Sequence, residues 1–173
     1  TDSVVRTRIF YALARARIPL AIPAQKLFVK EDDERAVTEK RARDLDRRKR
    51  VLARVDLFRT LDDATFDELA QALKPAPFAR GETLTRQGTV GDHLYIICSG
   101  TVAVRVREGG FEREVARLSG GDFFGEMALL TGEPRKATVS AVTDVECYRL
   151  DADAFRKLLA THTEIGEAVA RVL

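Results

Sequence analysis

The hydrophobic period of the chain changes after Pro75 and Pro77, and this change limits the possible folds more than any other feature. Before the prolines the apolar residues recur at helical spacing, and after them they alternate with a period close to 2. Seven short runs then follow, separated by turns that contain glycine: FAR, ETLTR, HLYIICS, TVAVRVR, REVARL, ATVSAV and ECYRL. Many short strands at even spacing are typical of a sandwich or barrel. The sequence therefore predicts a mainly β, α+β fold, with a small antiparallel, jelly-roll-like β-roll or barrel flanked by N-terminal and C-terminal helices.

Helical patterns lie on both sides of the predicted barrel. Apolar residues at helical spacing predict an amphipathic helix over residues 3–16 and two short helices over 55–73. Asp62 or Asp63 is suited to cap the second of these short helices. After the barrel, an amphipathic helix is expected to start at Asp151 and to bend near His162 or Gly166.

The segments between these elements have a different character. Pro19 and Pro23, among aliphatic residues, favour an extended segment. Residues 30–54 carry ten basic and seven acidic residues, which predicts a solvated helix with i,i+4 ion pairs that acts as a spacer. Its basic cluster RRKR at 47–50 is flanked by acids and is interpreted as part of that solvated surface.

Length and charge limit the classes of function. A chain of 173 residues with a net charge of +2 fits one compact domain with extra elements and has no concentrated basic face, so we expect no nucleic-acid partner. Cys98 and Cys147 lie in apolar runs and are interpreted as buried thiols in a reducing compartment. No run approaches the roughly 18 apolar residues of a membrane span, and both ends of the chain resemble cuts from a longer protein.

Catalytic and metal-binding residues are not evident. The two histidines, His93 and His162, have no convincing partners for nucleophilic catalysis or for a metal site. We therefore predict that the protein is not an enzyme, has no catalytic or metal-binding residues and needs no cofactor.

The stretch FGEMALLTGEPRKATV carries the most informative chemistry. Gly125 precedes good helix formers, so Glu126 is expected to begin a short helix whose first N–H groups are free to bind an anion. Arg135 follows a turn and offers a planar fork to a phosphate, while Glu126 is suited to accept a hydrogen bond from a hydroxyl group. The alternative is that Glu126 and Arg135 form a structural salt bridge and that the glycines are ordinary turns.

GEMALLTGEPRKATVSA resembles the phosphate-binding cassette of cyclic nucleotide-binding domains, and LTRQGTVGDHLYIICSG matches the glycine frame upstream of it. The resemblance covers residues 54–173. It implies that Arg135 and the amides near Ala128 and Ala137 hold the cyclic phosphate, while Gly125 and Glu126 bind the ribose 2′-hydroxyl. The cyclic nucleotide site that it implies consists of Phe124, Gly125, Glu126, Met127, Ala128, Arg135, Lys136 and Ala137.

Lys136 departs from the pattern of this family. Members usually have Ser, Thr, Ala or Gln after the arginine, and a hydroxyl group at that place can bind guanine. The resemblance therefore implies cAMP as the ligand, with cGMP as the second choice.

The N-terminal stretch VVRTRIFYALARARIPLAIPAQKLFV resembles the end of the cytoplasmic vestibule domain of small-conductance mechanosensitive channels. This similarity implies that residues 1–30 are the tail of such a domain, residues 31–53 a charged helical linker and residues 54–173 the cyclic nucleotide-binding domain. It also implies a full-length protein that is membrane-embedded and homo-oligomeric, with these residues at the cytoplasmic face of the inner membrane.

Three other functions stay open at this point. The chain can be part of a transcription regulator of the cyclic AMP receptor class, which needs a helix-turn-helix after the last helix. It can be part of a kinase regulatory subunit, which carries two tandem barrels. The remaining alternative is an interaction module that binds no ligand.

Overall fold

The computed structural model describes residues 2–18, 34–58 and 61–162. Its helices are α1 (Asp2–Ala16), α2 (Glu34–Leu52), α3 (Asp63–Ala72), α4 (Glu126–Thr131) and α5 (Ala152–Thr161), with a 3₁₀ helix at Asp56–Phe58. Its strands are β1 (Lys74–Pro75), β2 (Thr83–Thr85), β3 (His93–Ser99), β4 (Thr101–Glu108), β5 (Phe111–Ser119), β6 (Phe123–Phe124), β7 (Thr138–Ala141) and β8 (Glu146–Asp151). The extended segment predicted around Pro19 and Pro23, and a bend at Gly166, lie outside the described residues.

The strands form two four-stranded antiparallel sheets, ordered β1-β8-β3-β6 and β2-β7-β4-β5. This arrangement confirms the predicted antiparallel β-roll with flanking helices. The run FAR differs from the prediction, because Phe78 makes a single bridge to Val145 and no strand forms there. β1 and β6 were not predicted, since strands of two residues are too short to show a period.

The Gly109–Gly110 pair forms the predicted hairpin between β4 and β5. Glu108 pairs with Phe111 across the turn, and both glycines have positive φ, at 57° and 85°. Two residues with positive φ are what a type I′ hairpin turn requires, and glycine adopts them without a steric penalty.

Strand β3 separates two hydrophobic cores because its alternate side chains point to opposite faces of the sheet. Leu94 and Ile96 belong to a core shared with α2, α3 and α5, whereas Tyr95 and Ile97 belong to the core inside the barrel. The barrel therefore holds the helices on one outer face and encloses a second apolar core.

The last turns of α2 pack on the domain. Leu52 is fully buried, while Val37 near the start of the helix is 52% exposed. Each residue of the RRKR cluster has a partner within the described chain: Arg47 pairs with Glu146, Arg48 with the carbonyls of Ala70 and Gln71, Lys49 with Asp67 and Arg50 with Asp46. Arg47, Arg48 and Lys49 thus bind groups outside α2, and Arg50 binds within the helix. The predicted domain boundaries at 30 and 53 stay predictions.

Both cysteines are free thiols. Cys147 is buried, as predicted, whereas Cys98, which lies where the β3–β8 register shifts, is only half-buried. No helix in the described ranges is both long and apolar enough to cross a membrane.

Candidate functional site

Gly125 places the start of α4 against the rest of the site. It occupies the N-cap position with φ 97°, in the left-handed region that favours glycine. A Cβ atom at this position would collide with the guanidinium of Arg135 and would lie 2.8 Å from the carbonyl oxygen of His93. Both the backbone conformation and the space around it therefore require glycine.

Arg135 is buried, with 7% of its surface exposed. Its Nη1 donates to the carbonyl of Gly125 at 2.8 Å, and its Nη2 donates to the carbonyl of His93 at 2.5 Å. Carbonyl groups accept these hydrogen bonds but do not neutralise the charge, and no acid of the described chain lies within ion-pair distance of the guanidinium. Burial accordingly lowers the pKa of Arg135. The more distant groups of Tyr95, Asp92 and Glu126 act in the opposite direction and offset only part of this shift.

Glu126 begins α4 with its carboxylate turned inward. Its Oε2 is buried and has no hydrogen-bond partner among residues 2–18, 34–58 and 61–162. Burial raises the pKa of this carboxyl group, and the hydrogen bonds from backbone amides and the charge of Arg135 act in the opposite direction. The two described side chains of Glu126 and Arg135 do not form an ion pair, so the alternative of a structural salt bridge fails.

A cavity of about 260 Å³ opens beside Arg135. This volume is near the lower end of the range of about 300–1,000 Å³ that small-molecule sites have. Its lining comes from β2, from the loop before β3 and from β3 itself: Thr83, Leu84, Thr85, Arg86, Thr89, Val90, Asp92, Tyr95 and Arg135. Of the eight site residues predicted from the sequence, only Arg135 belongs to this lining.

The other predicted site residues differ in how deeply they are buried. Phe124 stacks on Tyr95 with ring centroids 5.1 Å apart and belongs to the barrel core. Ala128 is buried in α4, while Met127 and Ala137 are half-buried. Lys136 is exposed, and its ammonium group pairs with Glu133 at 2.5 Å.

The sequence alone did not identify three residues of the site as functional. Gly91 leaves room for Arg135, because a Cβ atom there would lie 2.7 Å from the guanidinium carbon. The carbonyl of His93 accepts a hydrogen bond from Arg135, and Tyr95 lines the cavity. The glycine frame LTRQGTVGDHLYIICSG contains all three, but a linear sequence does not show that this frame packs on Arg135.

The chemistry of the site suits an anionic ligand that carries a hydroxyl group. A buried guanidinium without an acid beside it favours an anion, because an ion pair compensates the cost of burying its charge. A buried carboxylate oxygen without a donor favours a hydroxyl group for the same reason. The described residues contain no group of three or more His, Cys, Asp or Glu side chains that could hold a metal ion.

Comparison with protein families and solved structures points in the same direction. The family model described as the cyclic nucleotide-binding domain matches residues 75–162, just over half of the chain. Among solved structures, the regulatory domain of Toxoplasma gondii PKA with cAMP is similar with a TM-score of 0.71 and 26% identity, over 77% of this chain and 51% of that one. The catabolite activator protein of Thermus thermophilus is similar with a TM-score of 0.61 and 30% identity, over 67% and 55%.

Curated relatives belong to more than one kind of protein. A cyclic nucleotide-gated potassium channel of Rhizobium etli is 38% identical over 77% of this chain and 36% of its own length. A CRP-like cAMP-activated global transcriptional regulator of Mycobacterium tuberculosis is 35% identical over 71% of this chain and 55% of its own length. The chain thus spans between about a third and just over half of the length of these relatives. The similarity to a transcriptional regulator gives no support to the prediction that no nucleic acid is bound.

Proposed function

The chain belongs to the cyclic nucleotide-binding domain family, and from this premise we propose that it senses a cyclic nucleotide at Arg135 and Glu126 as a regulatory, non-catalytic domain. One observation carries the proposal. A buried guanidinium without an acid beside it and a buried carboxylate oxygen without a donor lie at the same helix start, where a single sugar phosphate satisfies both.

The proposed roles follow from the chemistry of each group. The guanidinium of Arg135 binds the cyclic phosphate, because its planar fork matches two phosphate oxygens. The carboxylate of Glu126 accepts the hydrogen bond of the ribose 2′-hydroxyl group. Gly125 allows the sugar phosphate to approach the backbone, since no Cβ is present.

We propose cAMP as the preferred ligand, with cGMP binding more weakly. Lys136 has no hydroxyl group to bind guanine, and its ammonium group is paired with Glu133 at the surface. Five curated relatives named with cAMP support this choice: two regulators of Mycobacterium tuberculosis strains and the protein kinase regulatory subunits of Mucor circinelloides, Blastocladiella emersonii and Dictyostelium discoideum.

Calorimetric titration with cAMP tests the site. Arg135→Ala is expected to weaken binding by about 2–4 kcal/mol, or about 30-fold to 1,000-fold, because it removes the buried cation that faces the phosphate. Arg50→Ala is the matched control, since Arg50 lies on the exposed face of α2 and pairs with Asp46. Wild-type protein that does not bind millimolar cAMP contradicts the proposed function, and an unchanged affinity in Arg135→Ala contradicts the proposed anion site.

The structure also offers a route between the N-terminal segment and the site. Arg15 of α1 pairs with Glu82 at 2.9 Å, donates to the carbonyl of Pro77 and lies 4.4 Å from the ring centroid of Phe78. Glu82 directly precedes β2, whose residues line the cavity beside Arg135. These contacts connect α1 to the residue that precedes the cavity lining.

For the full-length protein, we propose a homo-oligomeric, ligand-modulated channel of the mechanosensitive type, with this domain at the cytoplasmic face of the inner membrane. The Rhizobium etli channel relative and the N-terminal resemblance support this proposal. The measurement is the conductance of the full-length protein in liposomes with and without cAMP. A conductance that responds to cAMP in wild type but not in Arg135→Ala supports the proposal, and a conductance indifferent to cAMP contradicts it.

A cAMP-dependent transcription regulator is the second candidate, favoured by the Mycobacterium tuberculosis relatives. In that case the full-length protein has a helix-turn-helix and binds DNA more tightly when cAMP is present. An electrophoretic mobility assay with genomic fragments from its own promoter region separates the two candidates.

A further inference from the structure

His93 lies at the junction of the site and the start of α5. It is the first residue of β3 and pairs in register with Asp151, the last residue of β8. Its carbonyl accepts the hydrogen bond from Nη2 of Arg135, as described above. The same residue therefore contacts the proposed phosphate-binding group through its backbone and the end of β8 through its register.

The imidazole of His93 is held between two carboxylates. Its Nδ1 lies 2.5 Å from Oδ1 of Asp92, and its Nε2 lies 3.1 Å from Oδ1 of Asp151. Only 18% of the His93 side chain is exposed, and its ring packs against Tyr95 at a centroid distance of 6.2 Å. These contacts restrain the ring, because each nitrogen lies close to a carboxylate oxygen.

The side chain of Asp151 does not cap α5, although its position predicts that it would. It occupies the N-cap position with extended backbone angles, yet its side chain makes no capping hydrogen bond. The carboxylate pairs instead with the ammonium group of Lys74 and with His93. The hydrogen bond from Lys74 is the main cause that lowers the pKa of Asp151, and His93 acts in the same direction. The first amide of α5, that of Ala152, donates to the carbonyl of Asp92 at 2.9 Å.

Asp62 provides the contrast within the same chain. It is the N-cap residue of α3 with similar backbone angles, and its Oδ1 accepts the amide of Thr65 at 2.9 Å. Asp residues at N-cap positions usually bond in this way. Helix α5 thus gives up a capping bond, and the carboxylate connects the helix to His93.

We propose that His93 is a positioning residue that links Arg135 to α5, so that a ligand on Arg135 changes the contacts of the first turn of this helix. A phosphate that binds the guanidinium draws Nη2 away from the His93 carbonyl, because a charged acceptor forms a stronger hydrogen bond than a carbonyl. The displaced backbone shifts the imidazole against Asp151, and Asp151 passes the shift to the amide of Ala152, which directly follows it. The inference rests on the proposed function, since it requires an anion at Arg135.

Amide hydrogen exchange at Ala152, measured by NMR with and without saturating cAMP, tests this link. In wild type we expect cAMP to change the exchange rate by at least about threefold, because the hydrogen bond that protects this amide lies next to His93. His93→Leu removes both carboxylate contacts, and the response to cAMP is expected to vanish. His93→Gln keeps an N–H donor that reaches Asp151 and is expected to restore at least half of the response.

His162→Gln is the matched control, because His162 is the other histidine and contacts Thr65 but not Asp151. Where His93→Leu does not fold, Asp151→Ser breaks the same link from the other end and leaves α5 a side chain that can cap it. Asp62→Ser controls for that change at α3. A ¹⁵N spectrum of the imidazoles adds a second readout, in which the His93 signals shift with cAMP and the His162 signals do not.

The outcomes separate the two proposals. Wild-type protein that fails to bind cAMP in calorimetry contradicts the proposed function. Protein that binds cAMP without any change at Ala152, or a response in His93→Leu equal to that of wild type, overturns the link while the binding site stands. Loss of the response in His93→Leu with recovery in His93→Gln supports the link when the two variants have equal thermal stability. A purely structural role predicts the same response in both variants.

Discussion

Replacing Glu126 by Gln is expected to change stability and affinity in opposite directions. In the structure the carboxylate has a buried oxygen without a partner, and burial raises its pKa. Gln has nearly the same shape but no charge, so the substitution removes the cost of holding a charge in this place. It also removes the charged acceptor that we propose for the ribose hydroxyl group.

The gain in stability is estimated from the cost of an unsatisfied buried group. A buried acceptor without a partner costs about 1–3 kcal/mol, and more when it is charged. Part of the Glu126 side chain remains in contact with solvent, and the amide of Gln keeps a polar atom in the same place, so we expect a gain of about 1 kcal/mol. For a chain of this size, 1 kcal/mol corresponds to a rise in Tm of about 2–4 °C.

The pH dependence gives the sign of the effect. Because the folded-state pKa of Glu126 lies above its ordinary value of 4.5, the folded protein binds more protons than the unfolded chain between these two values. Stability therefore falls as the pH rises through this window, and the penalty is complete once the pH is above the raised pKa. In Glu126→Gln this fall is absent, so the two proteins are closest in stability below pH 4.5 and differ most above the raised pKa.

The affinity for cAMP is expected to fall by about 10-fold to 150-fold, since hydrogen bonds to charged groups contribute about 1.5–3 kcal/mol. In wild type, binding weakens as the pH falls through the raised pKa, because the protonated carboxyl group is a poorer acceptor. Glu126→Gln shows no such dependence. A variant that keeps wild-type affinity but melts at a lower temperature refutes the reasoning, because Glu126 is then a structural residue.

The measurements are calorimetric titration with cAMP and thermal unfolding without ligand, both across the range from pH 4 to pH 8, with wild type and Glu126→Gln in the same buffers. Glu39→Gln is the control variant, since Glu39 is an exposed residue of α2. It is expected to match wild type in affinity at every pH.

Two further predictions concern groups around the site and in the sheets. Gly125→Ala forces a Cβ atom against Arg135 and the His93 carbonyl at a positive φ, so we expect a stability loss of about 1–3 kcal/mol and weaker cAMP binding. Denaturant unfolding and calorimetry check this, and wild-type values for both contradict the close packing around Gly125. Burial raises the pKa of Cys98 to about 11 and also raises that of Cys147. At pH 8 both thiols should therefore react with Ellman's reagent on the order of 100-fold more slowly than free cysteine until denaturant is added, and fast reaction of the native protein contradicts this.

The sequence predicted long strands well and short ones poorly, for a physical reason. β3 was predicted with its observed bounds, His93 to Ser99, because four consecutive buried residues mark a strand with a core on each face. β6 was not predicted, because Phe123 and Phe124 form a strand only where β3 lies beside them. A pairing of two residues depends on the position of its partner, which local periodicity does not contain.

The same limit applies to the site. Glu126 and Arg135 are nine positions apart in one local motif, so their residue types were enough to predict a shared site. His93 and Gly91 reach Arg135 from more than forty residues upstream, through the closure of the barrel. Every residue has a carbonyl oxygen, and a glycine is also found in ordinary turns, so neither feature shows in the sequence that it contacts Arg135.

The position of α4 explains how a small ligand at this site can act on the helices. Phe124, just before α4, packs in the barrel core, whereas Leu129 within it packs in the core shared with α3 and α5. A displacement of the short segment between them must therefore be accommodated in both cores, since closely packed interiors do not deform continuously. A ligand acts as a switch only when it binds two such arrangements unequally, and a shift from 1:99 to 99:1 needs a difference of about 10⁴-fold in affinity. A guanidinium that exchanges a carbonyl for a phosphate gains a charged acceptor, which forms a stronger hydrogen bond, so we expect Arg135 to contribute a large part of that difference.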